Sequence, residues 1–207
     1  MTDPAASLTV VLIDDEHVIR SALATMLGLE EDLQVVAEGG TAAQGLALIG
    51  EHTPDIAVVD LQLPDGDGLG ICAEIATISP HTRCLILTSH ARPAYLKRAL
   101  EQGILGFLPK TTSAEQLAQA VRAVAAGRRA IDPELAAETI SSGDSPLTPR
   151  ESDVLEYAAD GASVEQIARR AHLAEGTVRN YLSKAQAKLQ AANRHEAVAI
   201  ARRHGWI

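Results

Sequence analysis

The chain has 207 residues, 46% apolar but only 2% aromatic, so its cores must be built from Leu, Ile, Val and Ala in one or two domains. No apolar run approaches the roughly 18 residues of a spanning helix, and the first residues lack the basic and apolar regions of a secretory signal. A cytoplasmic protein that does not enter the membrane is expected. The net charge of −9 is uneven: residues 1–144 hold nine basic against twenty acidic side chains, and residues 145–207 hold nine against seven. An acidic front half does not attract nucleic acid, whereas the mildly basic tail can.

Apolar runs near 8–14, 33–38, 55–60, 83–88 and 105–108 read as strands. They alternate with helical patterns near 16–28, 41–51, 67–77, 93–102 and 113–126. Five βα units predict an α/β domain over 1–127, a five-stranded doubly wound parallel sheet with helices on both faces. Gly103 and Gly127 are placed to end helices. Residues 128–146 read as a linker carrying a short helix at 133–140, with Ser-Ser-Gly-Asp-Ser-Pro composition at its end. Residues 147–207 then form a small all-α domain, with helices at 149–160, 163–170, 174–189 and 193–204. Thr148 with Glu151, and Ser163 with Gln166, are spaced as capping boxes. The tight second and third helices make a helix-turn-helix candidate. Cys72 and Cys84 lack metal-ligand spacing and read as reduced core thiols.

The strand ends carry the chemistry. The first strand ends in Asp14-Asp15, the third in Asp60, the fourth in Thr88, and the fifth is followed by Lys110. Ligands of open parallel sheets bind at the carboxyl ends of strands. Three neighbouring carboxylates repel unless a divalent cation lies between them, and hard oxygens with room for water suit Mg²⁺. Asp60 can then attack a phosphoryl donor, while Thr88 and Lys110 hold oxygens of the transferred group. Each residue also has a plainer role. Asp15 could cap the next helix, Thr88 could sit in a turn, and Lys110 could be a solvated charge.

The acidic pair, Asp60 before Leu-x-Leu-Pro-x-x-x-Gly, Leu-Thr-Ser at 87–89 and Gly-Phe-Leu-Pro-Lys at 106–110 together resemble the CheY-like receiver domains of two-component response regulators over residues 8–126. The resemblance implies that a sensor histidine kinase phosphorylates Asp60, and that the only catalysis is the domain's own phosphorylation and dephosphorylation. It implies that the backbone carbonyl of Gln62 joins Asp14, Asp15 and Asp60 around Mg²⁺. It makes Thr88 and Phe107 a switch pair, in which the hydroxyl moves onto the phosphoryl group and the ring turns inward. Phe107 stands where the family often has Tyr, and Pro109 precedes Lys110. A haloacid-dehalogenase-type phosphatase would need a second Asp where Gln62 stands. A flavodoxin-like cofactor domain would need a phosphate-cradling loop where Asp14-Asp15-Glu16 would repel phosphate.

Helix 174–189 displays Arg179, Asn180, Ser183, Lys184 and Lys188 among apolar Val178, Leu182, Ala185 and Leu189. It can be a solvated bundle helix or a reader of the major groove, where Arg suits guanine and Asn suits adenine. Leu147-Thr-Pro-Arg-Glu151, Ile167-Ala168, Gly176-Thr-Val-Arg179 and Lys188-Leu189 with Asn193-Arg194 resemble the DNA-binding domain of the LuxR/NarL (FixJ) class. That class implies transcription regulation on double-stranded DNA with paired half-sites, homodimerisation on phosphorylation, and RNA polymerase as a further partner. By position Arg179, Asn180 and Ser183 face base edges, and Thr177, Lys184 and Lys188 contact phosphates. Tyr181 replaces a common His. Ala174 replaces a common Ser, which forfeits a capping bond worth about 1 kcal/mol. Three short stretches, at 88–95, 177–181 and 205–206, are similar to regulators of membrane fatty-acid desaturase genes. Two other classes compete with this reading: a phospho-independent docking protein, which has no need of the acidic trio with Thr88 and Lys110, and a small-molecule enzyme, for which no substrate pocket is legible.

Overall fold

The computed structural model describes residues 7–89, 91–141, 145–159 and 161–207. Contacts divide the chain into two units, Met1–Ala91 with Arg98–Pro133, and Arg92–Lys97 with Glu134–Ile207. Linker residues 142–144, and Asp160 at the end of one expected helix, lie outside the described residues.

In the first unit β1 (Leu8–Ile13), β2 (Leu33–Gly39), β3 (Ile56–Val59), β6 (Arg83–Thr88) and β7 (Gly106–Pro109) are the five expected strands. They alternate in sequence with α1 (His17–Leu27), α2 (Ala42–His52), α3 (Gly68–Ile78), α4 (Pro93–Glu101), whose residues up to Lys97 fall in the second unit, and α5 (Ala114–Ala125). The strand order is β2-β1-β3-β6-β7, and every pairing is parallel. Parallel strands are covered on both faces, which is why β3 is buried at every residue and reads as an unbroken apolar run. The interior joins Val10, Leu12, Ile56, Val58, Leu85 and Leu87 to Leu117, Val121 and Val124 of α5.

Two additions depart from the expected five strands. β8 (Ala130–Ile131) extends the sheet to six strands by pairing in parallel with β7. Gly127, at φ 75°, ends α5 and turns the chain back along β7, and two residues are too few to show a strand period. β4 (Gln62–Leu63) and β5 (Gly66–Asp67) form an antiparallel ribbon directly after Asp60. Asp65 in its turn accepts from the backbone N–H groups of Ala42 (2.7 Å) and Ala43 (3.1 Å), which ties the ribbon to the first turn of α2.

The sheet places β1 between β2 and β3, so the chain changes direction across the sheet beside β1. A crevice opens at such a switch point, beyond the carboxyl ends of β1 and β3. Those ends carry Asp14 and Asp60.

The second unit contains α6 (Pro133–Ser141), most of which it holds, then α7 (Pro149–Ala159), α8 (Val164–Arg170), α9 (Glu175–Lys188) and α10 (Arg194–Arg203). Val154, Leu155, Ile167, Val178, Leu182 and Val198 lie at its centre. Both expected capping boxes form, at Thr148 with Glu151 and at Ser163 with Gln166. Between α8 and α9 His172 takes a left-handed φ of 53°, and the Leu173 N–H returns to the Ala168 carbonyl at 2.9 Å. Among the described residues no helix is long and apolar enough to cross a membrane.

Gly68, the first residue of α3, fixes how closely that helix approaches the backbone of Asp60 and Leu61. A Cβ there would lie 2.2 Å from the Asp60 carbonyl oxygen and 2.9 Å from the Leu61 Cα, neither of which can move aside as a side chain would. Gly68→Ala is therefore expected to cost about 1–3 kcal/mol, the usual range for overpacking. Thermal melting of the full chain by circular dichroism checks it: an unchanged first transition would show that the contact relaxes freely.

Candidate functional site

Asp14 is one residue beyond β1 and Asp60 one beyond β3, and both are buried, at 4% and 6% exposure. Asp15 is half-buried beside them, and one carboxylate oxygen from each of the three lies within 4.8 Å of the others. Lys110 follows β7, and its backbone N–H donates to the Thr88 carbonyl at 2.9 Å. Pro109 does not displace it. The ammonium crosses the rim to Asp14 Oδ2, Asp60 Oδ2 and Glu16 Oε1, each at 2.8 Å. Asp15 does not cap α1, whose N-cap is Glu16 without a side-chain capping bond.

Burial pushes the carboxyls of Asp60 and Asp14 above the ordinary value of 3.8, with Lys110 opposing the shift in each case. Burial would lower Lys110, but the charge of Asp60 and the hydrogen bonds to Asp14, Asp60 and Glu16 prevail and raise it. One cation thus faces more carboxylate charge than it neutralises. That surplus, on hard oxygens gathered at one rim, fits a divalent cation of the Mg²⁺ type.

Thr88 is fully buried and Phe107 is 1% exposed. The Phe107 ring thus already lies inside, where the resemblance has it turn inward on switching. Gln62 begins β4, and its backbone N–H points at Asp60 Oδ1 at 3.4 Å. Three neighbours make contacts that the sequence did not predict. Glu16 holds Lys110. Arg20 donates to the Asp14 carbonyl and pairs with Glu38 at 3.5 Å. Asp67 accepts from the Leu69 N–H at 3.3 Å and so caps α3. Only the Asp-Asp-Glu run could have flagged Glu16, and its reach to Lys110 depends on the fold.

In the second unit α9 presents Arg179, Asn180, Ser183 and Lys184 to solvent, Thr177 is half-buried, and Val178, Leu182 and Ala185 face inward. Arg179 does not pack along the bundle. It is 63% exposed and pairs with Glu175, one turn earlier, at 2.5 Å. Lys188 is differently placed, because its ammonium binds the buried Glu151 carboxylate at 2.7 Å. Burial raises Glu151, but Lys188 and the Thr148 N–H outweigh it and hold the carboxyl below its ordinary value. Ala174 begins α9 with no side-chain cap, as its side chain requires.

Comparison with known proteins agrees with both halves. The response regulator receiver domain family matches residues 10–122, and the family of bacterial regulatory proteins of the luxR type matches residues 145–201. The chain is a response regulator of the LuxR family. The transcriptional regulatory protein DesR of Bacillus subtilis is 36% identical over 97% of the regulator and 99% of DesR. The DNA-binding transcriptional activator DevR/DosR of Mycobacterium tuberculosis is 37% identical over 93% of each chain. The crystal structure of ChrA, a response regulator of a heme-sensing two-component system, matches with a TM-score of 0.57 at 32% identity, over 98% of the regulator and all of ChrA.

Two predictions follow from the charges. A carboxyl raised above its unfolded value binds its proton more tightly in the folded state, so its ionisation costs stability at neutral pH. The cost disappears as pH falls through the raised value toward 3.8. In metal-free buffer Asp60→Asn is therefore expected to melt higher than wild type at neutral pH, with the gap closing in acid. A gap that widened in acid would show that Lys110 governs the balance. Lys188→Ala is expected to destabilise the helical unit by about 1–2 kcal/mol, because it strands a buried carboxylate while the lysine itself is partly solvated. Lys184→Ala should leave melting unchanged, and equal melting of the two variants would remove the structural role from Lys188.

Proposed function

We propose that Asp60 of this transcription regulator accepts a phosphoryl group from a sensor histidine kinase in the cytoplasm. The observation that carries this is the convergence of Asp14, Asp15, Asp60 and Lys110 at one end of the sheet. An oxygen of Asp60 attacks phosphorus, a new P–O bond forms, and the bond to the donor breaks with its electron pair leaving on the donor. Lys110 already lies against the attacked carboxylate, so its ammonium is in place to hold an oxygen of the transferred group. The buried Thr88 hydroxyl is the second such donor, and Phe107 repacks with it. Asp14, Asp15, Asp60 and the Gln62 carbonyl would hold Mg²⁺, which when bound neutralises charge on the transferred group.

The output is sequence-specific binding of double-stranded DNA. Arg179, Asn180 and Ser183 read base edges, and Thr177 and Lys184 contact phosphates. Lys188 divides its ammonium between Glu151 and a phosphate. Phosphorylation pairs two chains on two half-sites, and RNA polymerase is the partner downstream. The local likeness to regulators of fatty-acid desaturase genes supports membrane-lipid genes as the target.

Incubation with Mg²⁺ and a small phosphodonor, followed by intact mass, tests the acceptor. Wild type is expected to gain one phosphoryl mass and Asp60→Asn none, and equal gain would assign the acceptor elsewhere. Titration of the phosphorylated protein onto specific and scrambled duplexes tests the output. Arg179→Ala should lose about 1–3 kcal/mol on the specific duplex and far less on the scrambled one. Equal losses on both would remove it from base readout.

A further inference from the structure

Lys110 has three N–H donors and no acceptor. In this structure all three partners are carboxylates, Asp14, Asp60 and Glu16, each at 2.8 Å. A phosphoryl oxygen arriving on Asp60 needs a donor from the same ammonium, so one of the three must yield. Asp60 is the acceptor and stays attached to the group, and Asp14 is buried at the rim with its Oδ1 bound to the Glu16 N–H at 2.9 Å. Glu16 differs from both. Its side chain is 51% exposed, it makes no capping bond to α1, and its long stem can carry the carboxylate into water.

We propose that Glu16 is the exchangeable partner of Lys110: it occupies the donor that a phosphoryl oxygen must take, and so sets how readily the regulator accepts and keeps the group. The proposal rests on the reading of Asp60 as phosphoacceptor. Glu16 acts through Lys110 and is a positioning residue, with no bond to the reacting atoms. A negatively charged donor meets it as a competitor of its own kind, since charge-assisted bonds to an ammonium are the strong ones. Only the Glu16 end of the pair is exposed, and the buried Lys110 keeps Asp14 and Asp60 when Glu16 leaves, so the exchange strands no charge. Glu16 gives α1 no side-chain capping bond, so substitution there removes none.

The experiment is titration of the full chain with beryllofluoride in the presence of Mg²⁺, followed by fluorine NMR or calorimetry. Beryllofluoride binds as a stand-in for the phosphoryl group without being turned over. Three variants separate contact from charge. Glu16→Gln removes the charge. Glu16→Asp keeps the charge but is one methylene too short for Lys110, and at an N-cap position its carboxylate is drawn to the helix N–H groups instead. Glu38→Gln removes a neighbouring charge that pairs with Arg20 and does not touch Lys110. Glu16→Gln and Glu16→Asp are both expected to bind the mimic about threefold more tightly than wild type, the scale of a partly exposed ion pair. Phosphoryl uptake from a small donor should quicken in parallel, and Glu38→Gln should match wild type. Wild-type affinity in Glu16→Gln overturns the proposal. So does wild-type affinity in Glu16→Asp, or tightening in Glu38→Gln equal to that in Glu16→Gln, since either would reduce the effect to charge alone. A wild-type protein that binds no mimic overturns the phosphoacceptor reading itself, a result distinct from parity among variants that do bind.

Discussion

Everything at the receiver rim depends on a single ammonium. Asp14 and Asp60 are buried next to each other, and two ionised carboxylates removed from water would each raise the cost of the other. Lys110 makes the arrangement tenable by donating to both, and burial still leaves both acids above their ordinary range. The result is a site held in deficit of positive charge. Such a site is a poor structural element and a good receptor, because any group that brings cation charge is drawn to it. The sheet order is what permits this. β1 and β3 are neighbours, and β7 stands two strands beyond β3, so a long lysine stem is needed to cross the rim. An arginine would bring a planar fork in place of three radiating donors, and the three-carboxylate geometry would not suit it.

Much of this was legible in the sequence because parallel strands announce themselves. A strand covered on both faces must be apolar throughout, so the residue at which polarity resumes marks the rim. That transition marks Asp14, Asp60, Thr88 and Lys110 at the strand ends, and the spacing of the capping boxes at Thr148 and Ser163 marks helix starts in the same way. What was not legible has no local period. β8 has two residues, and β4 with β5 form a ribbon whose anchor is Asp65 on the start of α2, more than twenty positions away in sequence. Glu16 reads as one more exposed acid in a helix start. Its link to Lys110 spans 94 positions and exists only once the sheet is assembled.

Helix α9 shows the same boundary between pattern and contact. The apolar spacing of Val178, Leu182 and Ala185 correctly separates the packed face of α9 from the open one, and Arg179 lies on the open one. Spacing cannot tell which lysine is already engaged. Lys184 and Lys188 are one turn apart and look equivalent in the sequence, but Lys188 neutralises Glu151. Glu151 must be there because its carboxylate closes the capping box on the Thr148 N–H. A buried acid chosen for capping thus claims a base that pattern assigns to DNA. The Glu175 carboxylate on Arg179 is a weaker claim, because both groups are exposed and the pair exchanges with water at little cost.

The charge distribution limits how phosphorylation can act on DNA binding. The front 144 residues already carry −11 and the remainder +2. A phosphoryl group adds about −1.5 to −2 to the acidic part, which has the wrong sign to attract a polyanion, and salt screens it beyond roughly 8–10 Å. Direct electrostatics therefore cannot raise DNA affinity, and the small positive surplus of one helical unit gives only weak general attraction. Pairing of two chains changes the terms. Once one recognition helix is seated, the second binds at the high effective concentration set by the tether, and two weak contacts multiply. A unit of such low net charge adds little non-specific attraction, so pairing of two chains would supply affinity that charge does not.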